Sequence, residues 1–200
     1  MLKTSALVIF AFCSLASAFA QTPFYEGKTI TIVQGREPGD AGDMRVKAIL
    51  PFIQKHLPGN PTIVSEYMPG GGGRKAANHI YRSVKPDGLT LGNLGAGFIS
   101  NALLGETGVQ YDIDRFVYLG SPYSAAHYLF ITTRQLQLNN LEKLRAASGI
   151  RIGAQSVGHT IYITGRLFAW LLGLKDPKFI TAYAGNEIDD AWKRRRAEAL

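Results

Sequence analysis

The sequence is almost without cysteine. Cys13 is its single thiol, and it lies in an apolar leading segment. One thiol forms no internal disulfide, and with no second cysteine there is no cysteine-built zinc site. Long apolar runs are also lacking. Residues 6–15 form a run too short to cross a bilayer as a helix, and no later stretch offers the ~18 consecutive apolar residues that a span requires. Histidines are few: His56, His79, His127 and His159. None stands four residues from another, so the helical zinc-protease pattern is excluded. No Gly-x-Ser-x-Gly elbow occurs, which removes the commonest serine-hydrolase signature. Catalysis by metal, thiol or serine elbow therefore has little to build on.

The leading segment reads as an export signal. Lys3 gives it a positive start, residues 6–15 an apolar centre, and Ala18 and Ala20 the small residues of a cleavage site before Gln21. Residues 1–20 are then removed, leaving a chain of 180 residues. Phe12 stands before Cys13, where lipid attachment needs a small residue. Without Lys3, the excess of 22 basic over 15 acidic side chains falls from seven to six. That excess favours solubility and anionic partners. It is not a nucleic-acid signature. The one dense basic run, residues 193–196, follows Glu187, Asp189 and Asp190, as suits one solvated helix with its charges matched to the dipole.

From Thr22 onward, short β-branched runs alternate with helical patterns. Residues 29–33, 62–67, 89–94 and 116–119 read as strands. Val46, Ile49, Leu50, Ile53 and Leu57 share a helix face, which Pro51 is expected to kink or to end after its first half. Ala76, Ala77, Ile80, Tyr81 and Val84 mark a second helix. The pattern restarts near Gly120. Strands are expected over residues 129–132, 151–154 and 179–183, and a short helix over 140–147. A longer helix carries Ile161, Thr164, Leu167, Phe168, Leu171 and Leu172, and Gly173 ends it. Ile188, Ala191, Trp192 and Arg195 share a face of a last helix. Strand, glycine loop, helix, strand is the order of a parallel α/β sheet.

Such sheets bind ligands beyond the carboxyl ends of their strands, and the glycine-rich loops fall there. Five loops open helices: residues 35–43, 70–73, 95–97, 156–160 and 184–186. Amides exposed at helix starts favour anions. The candidate ligand residues are Gly39, Asp40, Gly42 and Asp43 in the first loop and Gly70, Gly71, Gly72 and Gly73 in the second. Gly97 stands in the third, Ser156, His159 and Thr160 in the fourth, and Gly185 and Asn186 in the fifth. A nucleotide P-loop is excluded. Lys75 is followed by Ala76, so no hydroxyl is placed for magnesium. Residues 92–97 do not have the dinucleotide spacing either. Ser156 with His159 is the one local pair that an exported enzyme acting on a small anionic substrate could use.

Several ordered motifs resemble one family. They are Phe24-Tyr25-Glu26-Gly27-Lys28-Thr29-Ile30, Leu57-Pro58-Gly59-Asn60-Pro61 and Met68-Pro69-Gly70-Gly71-Gly72. Pro86-Asp87-Gly88-Leu89-Thr90-Leu91-Gly92 and Ala182-Tyr183-Ala184-Gly185-Asn186-Glu187-Ile188 continue the series. Together they are similar to the tripartite tricarboxylate transporter receptors, also called Bug extracytoplasmic solute receptors. The resemblance implies an α/β fold of the type II periplasmic binding protein kind, with one lobe over residues 21–120 and a second over 121–200. No cofactor or metal is expected from these residues, and a monomer is the expected state. Such a receptor holds a small carboxylated solute between its lobes through loop amides, and delivers it to the membrane permease subunits of a tripartite transporter. A ligand-presenting sensory role is the other outlet for the same binding.

The sequence departs from the family in three places, one of them Ala184-Gly185-Asn186, where the family often has Pro-Gly-Gly. The first loop carries Asp40 where small residues are usual, and a carboxylate there repels an anion unless Arg36 or Lys47 offsets it. After Ile188 the usual acidic and glycine-rich continuation is absent. The resemblance therefore implies an incomplete second lobe, from a fragment, a frameshifted gene or a degenerate copy.

Overall fold

The computed structural model describes residues 22–121, 128–181, 183, 187–194, 197 and 199. The export-signal residues, His127, Gly185 and Asn186 lie outside the described residues.

The chain builds two parallel sheets. In the first, β1 (Thr29–Gln34) lies between β2 (Thr62–Tyr67) and β3 (Thr90–Asn93). Both pairings are parallel, and Gln34 stands in register with Tyr67 on one side and Asn93 on the other. The central position explains the composition of β1. Ile30, Ile32 and Val33 are buried, as a strand covered on both faces requires. Each such side chain stabilises the fold by roughly 1.5–3 kcal/mol. The edge strand β2 alternates exposed and half-buried residues instead.

Helix α1 (Ala41–His56) packs on β2, and α2 (Arg74–Ser83) on β1 and β3. A third helix, α3 (Gly97–Leu103), follows β3. Phe98 of α3 sits in an aromatic cluster with Tyr111 and Phe116, at ring separations of 5.9 Å from each. Tyr81 of α2 joins it, 5.8 Å from Phe116.

The second sheet contains β4 (Arg151–Gly153) and β5 (Lys178–Ile180), parallel and in register from Arg151↔Lys178 to Gly153↔Ile180. Ala199 lies along β4, accepting from the Gly153 amide and donating to the Arg151 carbonyl. Helix α4 (Leu141–Ala146) precedes β4, and α5 (Thr160–Leu172) joins β4 to β5. Leu144, Ile150, Ile152, Ala169 and Ala199 form the core here. Gly173 ends α5 with φ 65°, and the chain closes back on the Ala169 and Trp170 carbonyls, as its sequence position predicts. Helix α6 (Glu187–Lys193) buries Ile188 and Ala191.

Several sequence expectations need correction. Residues 116–119 form no strand. Phe116 turns into the aromatic cluster, while Val117 and Leu119 are 86% and 76% exposed, with no neighbouring strand to pair them. Residues 129–132 contribute one isolated bridge, Thr132 to Ala199, rather than a strand. The strand placed at 179–183 is shorter and starts one residue earlier. Pro51 does not end α1. It lies on the exposed face, where water can satisfy the carbonyl that lost its amide partner. Trp170, Leu129 and Leu171 lie open on the second unit, at 77%, 79% and 57% exposure.

The carboxyl ends of the first sheet are tied together by one buried carboxylate. Asp43, on the first turn of α1, is fully buried. Its Oδ1 accepts from Gln34 Nε2 at 2.8 Å and from the Tyr67 hydroxyl at 2.9 Å. Its Oδ2 accepts from the Gly39 amide and Lys47 Nζ, both at 2.7 Å. Gln34 also donates to Ser65 Oγ and accepts from Asn93 Nδ2 at 3.0 Å. Burial alone would raise the Asp43 pKa. The Lys47, Gly39, Tyr67 and Gln34 bonds overcome it and hold the carboxyl well below its ordinary value. Asp43→Asn leaves buried donors facing an amide nitrogen, so it should cost about 2–4 kcal/mol in urea unfolding. Lys47→Gln should cost much less, because the ammonium stands half in water. Equal losses would show that the charge pair, not the donor set, holds α1.

Candidate functional site

The loops that follow the strands meet at one place. Four of the five sequence-predicted loops are described, and they open α1, α2, α3 and α5.

The first loop has turned its amides to its own carboxylates. Asp40 is the N-cap of α1, and its Oδ1 accepts from the Gly42 and Asp43 amides at 2.8 and 2.9 Å. The Gly39 amide is held by Asp43. These three donors, which the sequence leaves open for a ligand, have partners within the loop. The charge conflict foreseen at Asp40 is also offset within the chain. Arg36 Nη1 stands 3.5 Å from Asp40 Oδ1, and Lys47 holds Asp43.

The second loop is a left-handed run. Gly70, Gly71, Gly72 and Gly73 all have positive φ, from 58° to 124°, a conformation that side chains resist. Gly72 is buried against the fourth loop, and a methyl added to it would overlap the Gly158 carbonyl. Gly97 opens α3 at the same contact. Its methyl would fall 2.7 Å from both the Gly158 and Gly72 carbonyl oxygens. Asn101 of α3 is wholly buried. Its Nδ2 donates to the Gly71 carbonyl at 2.9 Å, while its Oδ1 has no partner. A methyl on Gly158 would come within 2.7 Å of that oxygen. The two sheet units thus touch backbone to backbone through Gly72, Gly97 and Gly158, and α3 packs against α5.

The fourth loop ends on His159, the N-cap of α5. Its Nδ1 accepts from the Ile161 amide at 3.2 Å, so that nitrogen is bare and the proton sits on Nε2. Burial first, then the Arg36 charge, lowers the ring pKa to about 4, with Asp40 opposing. The imidazole is neutral at pH 7. The pair offered for nucleophilic chemistry does not form. The His159 backbone amide bonds the Ser156 carbonyl, and its Nδ1 is taken by the helix. Thr160 opens α5, and its carbonyl accepts from Thr164 Oγ1 at 2.8 Å. Of the fifth loop, Gly185 and Asn186 lie outside the described residues.

Two cavities occur elsewhere, both on the second unit. One of about 530 Å³ is lined by Thr132, Thr133, Arg134, Gln137, Leu138, Asn139 and Lys143. One of about 180 Å³ lies between Phe130, Ile152, Ile161 and Phe168. Neither is lined by a residue of the five loops. The loop junction is packed by its own glycines, through the Gly72, Gly97 and Gly158 contacts just described. Among the described residues, no cluster of three or more metal-ligating side chains forms, and no helix is long and apolar enough to cross a membrane. Nothing in the spacing of the sequence marked Asn101 or the closeness of Gly97 to Gly158. Arg36 was visible only as a charge beside Asp40.

The fold is that of periplasmic binding proteins. The periplasmic binding protein BugD aligns at a TM-score of 0.64 and 18% identity, over 88% of this chain and 58% of that one. MatC (Rpa3494) from Rhodopseudomonas palustris, solved with bound malate, aligns at 0.64 and 19% identity, over 86% of this chain and 59% of that one. Rpa4515 from R. palustris, solved with adipate, aligns at 0.61 and 18% identity, over 86% and 58%. The chain thus spans less than two thirds of the length of these structures. No family model and no curated protein matches it.

Two outcomes test the junction. Gly97 has ordinary helical φ, so Gly97→Ala brings no backbone strain and supplies a better helix former. It should nevertheless cost about 1–3 kcal/mol in urea unfolding, because the methyl presses on two carbonyls. A variant as stable as the parent would mean that the junction is open in solution. The second outcome concerns pH. The folded His159 pKa lies below the unfolded value near 6.5, so the unfolded chain binds the extra proton. Stability should fall as pH drops from about 6.5 to about 4, by at most about 1.4 kcal/mol per unit. His159→Asn keeps a cap and removes the titration. Unfolding midpoints at pH 7 and pH 5 should differ less in the variant than in the parent.

Proposed function

We propose that this chain is an exported solute receptor that binds a small carboxylated molecule between its two sheet units. The observation that carries the reading is the convergence of four helix-opening loops from two parallel sheets at one junction, walled by Gly72, Gly97 and Gly158. Ligands of open α/β sheets bind beyond the carboxyl ends of their strands, and here two such ends face each other. The structural neighbours named with malate and adipate support a carboxylate as the solute class. The leading segment supports delivery to the periplasm after cleavage behind Ala20. The ligand-loaded form would pass its cargo to the permease subunits of a tripartite tricarboxylate-type transporter. Nothing in the reading calls for catalysis: the site offers donors and a shape, not a nucleophile with its base.

Entry of a solute requires the Gly72–Gly158 contact to part, so binding is coupled to separation of the two units and their reclosure. Titration calorimetry of the secreted chain with malate, adipate and citrate should give a Kd on the order of micromolar for at least one of them. A folded chain that gives no heat with any of the three would remove the receptor reading.

A further inference from the structure

We propose that the Arg36 guanidinium, rather than the loop amides, is the group that receives the solute's carboxylate. The inference rests on the receptor reading and assigns its charge-recognising residue.

Arg36 follows the carboxyl end of β1, and its side chain is only 18% exposed. Its contact with Asp40 is stretched, at 3.5 Å. The Asp40 oxygen that it approaches already accepts two amides. Arg36 Nε is buried and has no partner. A guanidinium removed from water is costly unless its donors are matched. Here a fork of five donors has one long contact, so the arrangement is short of an acceptor. A carboxylate supplies the missing one. Two oxygens facing two parallel N–H groups match the planar fork better than any other common small-molecule anion except a phosphate.

The position is right for a ligand of the junction. A methyl on Gly42 would overlap the Arg36 guanidinium, so the absence of a side chain there makes room for it. On its other side, a methyl on Gly95 would lie 3.8 Å from Nη2. The group therefore spans from the start of α1 to the loop before α3. His159, across the junction on the second unit, feels its charge. Lys47, the neighbouring cation on α1, is bound to Asp43. Asp40 then acts as a brace. It caps α1 with one oxygen and holds one edge of the fork, leaving Nε and the other edge for the solute.

The test uses the secreted chain with malate and adipate, each compared with its uncharged diamide, by titration calorimetry. The parent should bind a carboxylate and ignore the diamide. Arg36→Gln should weaken that binding by about tenfold or more, and Arg36→Lys, which keeps charge but not the fork, by less. Phenylglyoxal labelling of Arg36 in the parent, read by mass spectrometry, should slow when the carboxylate is present. That measurement needs no variant to fold. Binding by Arg36→Gln within twofold of the parent, or labelling that the carboxylate does not slow, overturns the assignment and leaves the receptor reading intact. A parent that binds none of malate, adipate and citrate overturns both.

Discussion

The fold of the first unit depends on one buried carboxylate. Asp43 stands on the first turn of α1, yet it is bonded to the carboxyl-end residues of β1 and β2. Through Gln34 the same network reaches Asn93 at the end of β3. The three residues lie at matching positions of the sheet, so one side chain fixes where α1 begins relative to all three strand ends. That position in turn fixes the loop before α1, because Gly39 is held by the same carboxylate. Remove the network and the loop carrying Arg36 and Asp40 has no set place.

The cost of this anchoring is amide capacity. A helix start is a natural anion site because its first amides lack partners. At α1 the amides of Gly42 and Asp43 face Asp40, and at α5 the Ile161 amide faces His159. Both helix dipoles are therefore partly quenched by the chain's own side chains. A binding site built on such starts would have to draw its positive potential elsewhere. Arg36 lies beside the start of α1, with its guanidinium against Gly42 and near Gly95, and the neutral state of His159 means that the ring adds no cation of its own.

Much of the sheet was legible in the sequence because it follows from local rules. The β-branched residues Thr29 to Val33 and Thr62 to Val64 have few other good conformations. Gly173 ends α5 for a reason internal to the helix. Residues 116–119 looked equally strand-like, but a strand needs a neighbour, and Phe116 found a better place among aromatic rings. Helix α3 was hidden behind Gly95 and Gly97, which read as a loop, because the helix is held by Phe98 in a distant cluster and not by its own start. The candidate loops were legible as loops. Their partners were not, since nothing in the spacing of Gly72, Gly97 and Gly158 says that their backbones touch. That contact joins residues far apart in sequence, and only the tertiary fold brings them together.

The same distinction decides how the site should respond to its surroundings. A net excess of positive charge is spread over the whole surface and is screened by salt within about 10 Å. Such a field guides an anion toward the molecule without choosing where it stops. A guanidinium that is mostly out of water is screened far less, and its planar donors accept one orientation of a carboxylate. The glycines contribute by what they omit. With no side chains at Gly72, Gly97 and Gly158, the two units meet backbone to backbone, and the bare Gly42 leaves room for the Arg36 guanidinium beside the start of α1. Close backbone packing sets the two loop ends against each other, and the mostly buried Arg36 supplies a planar cation at their edge.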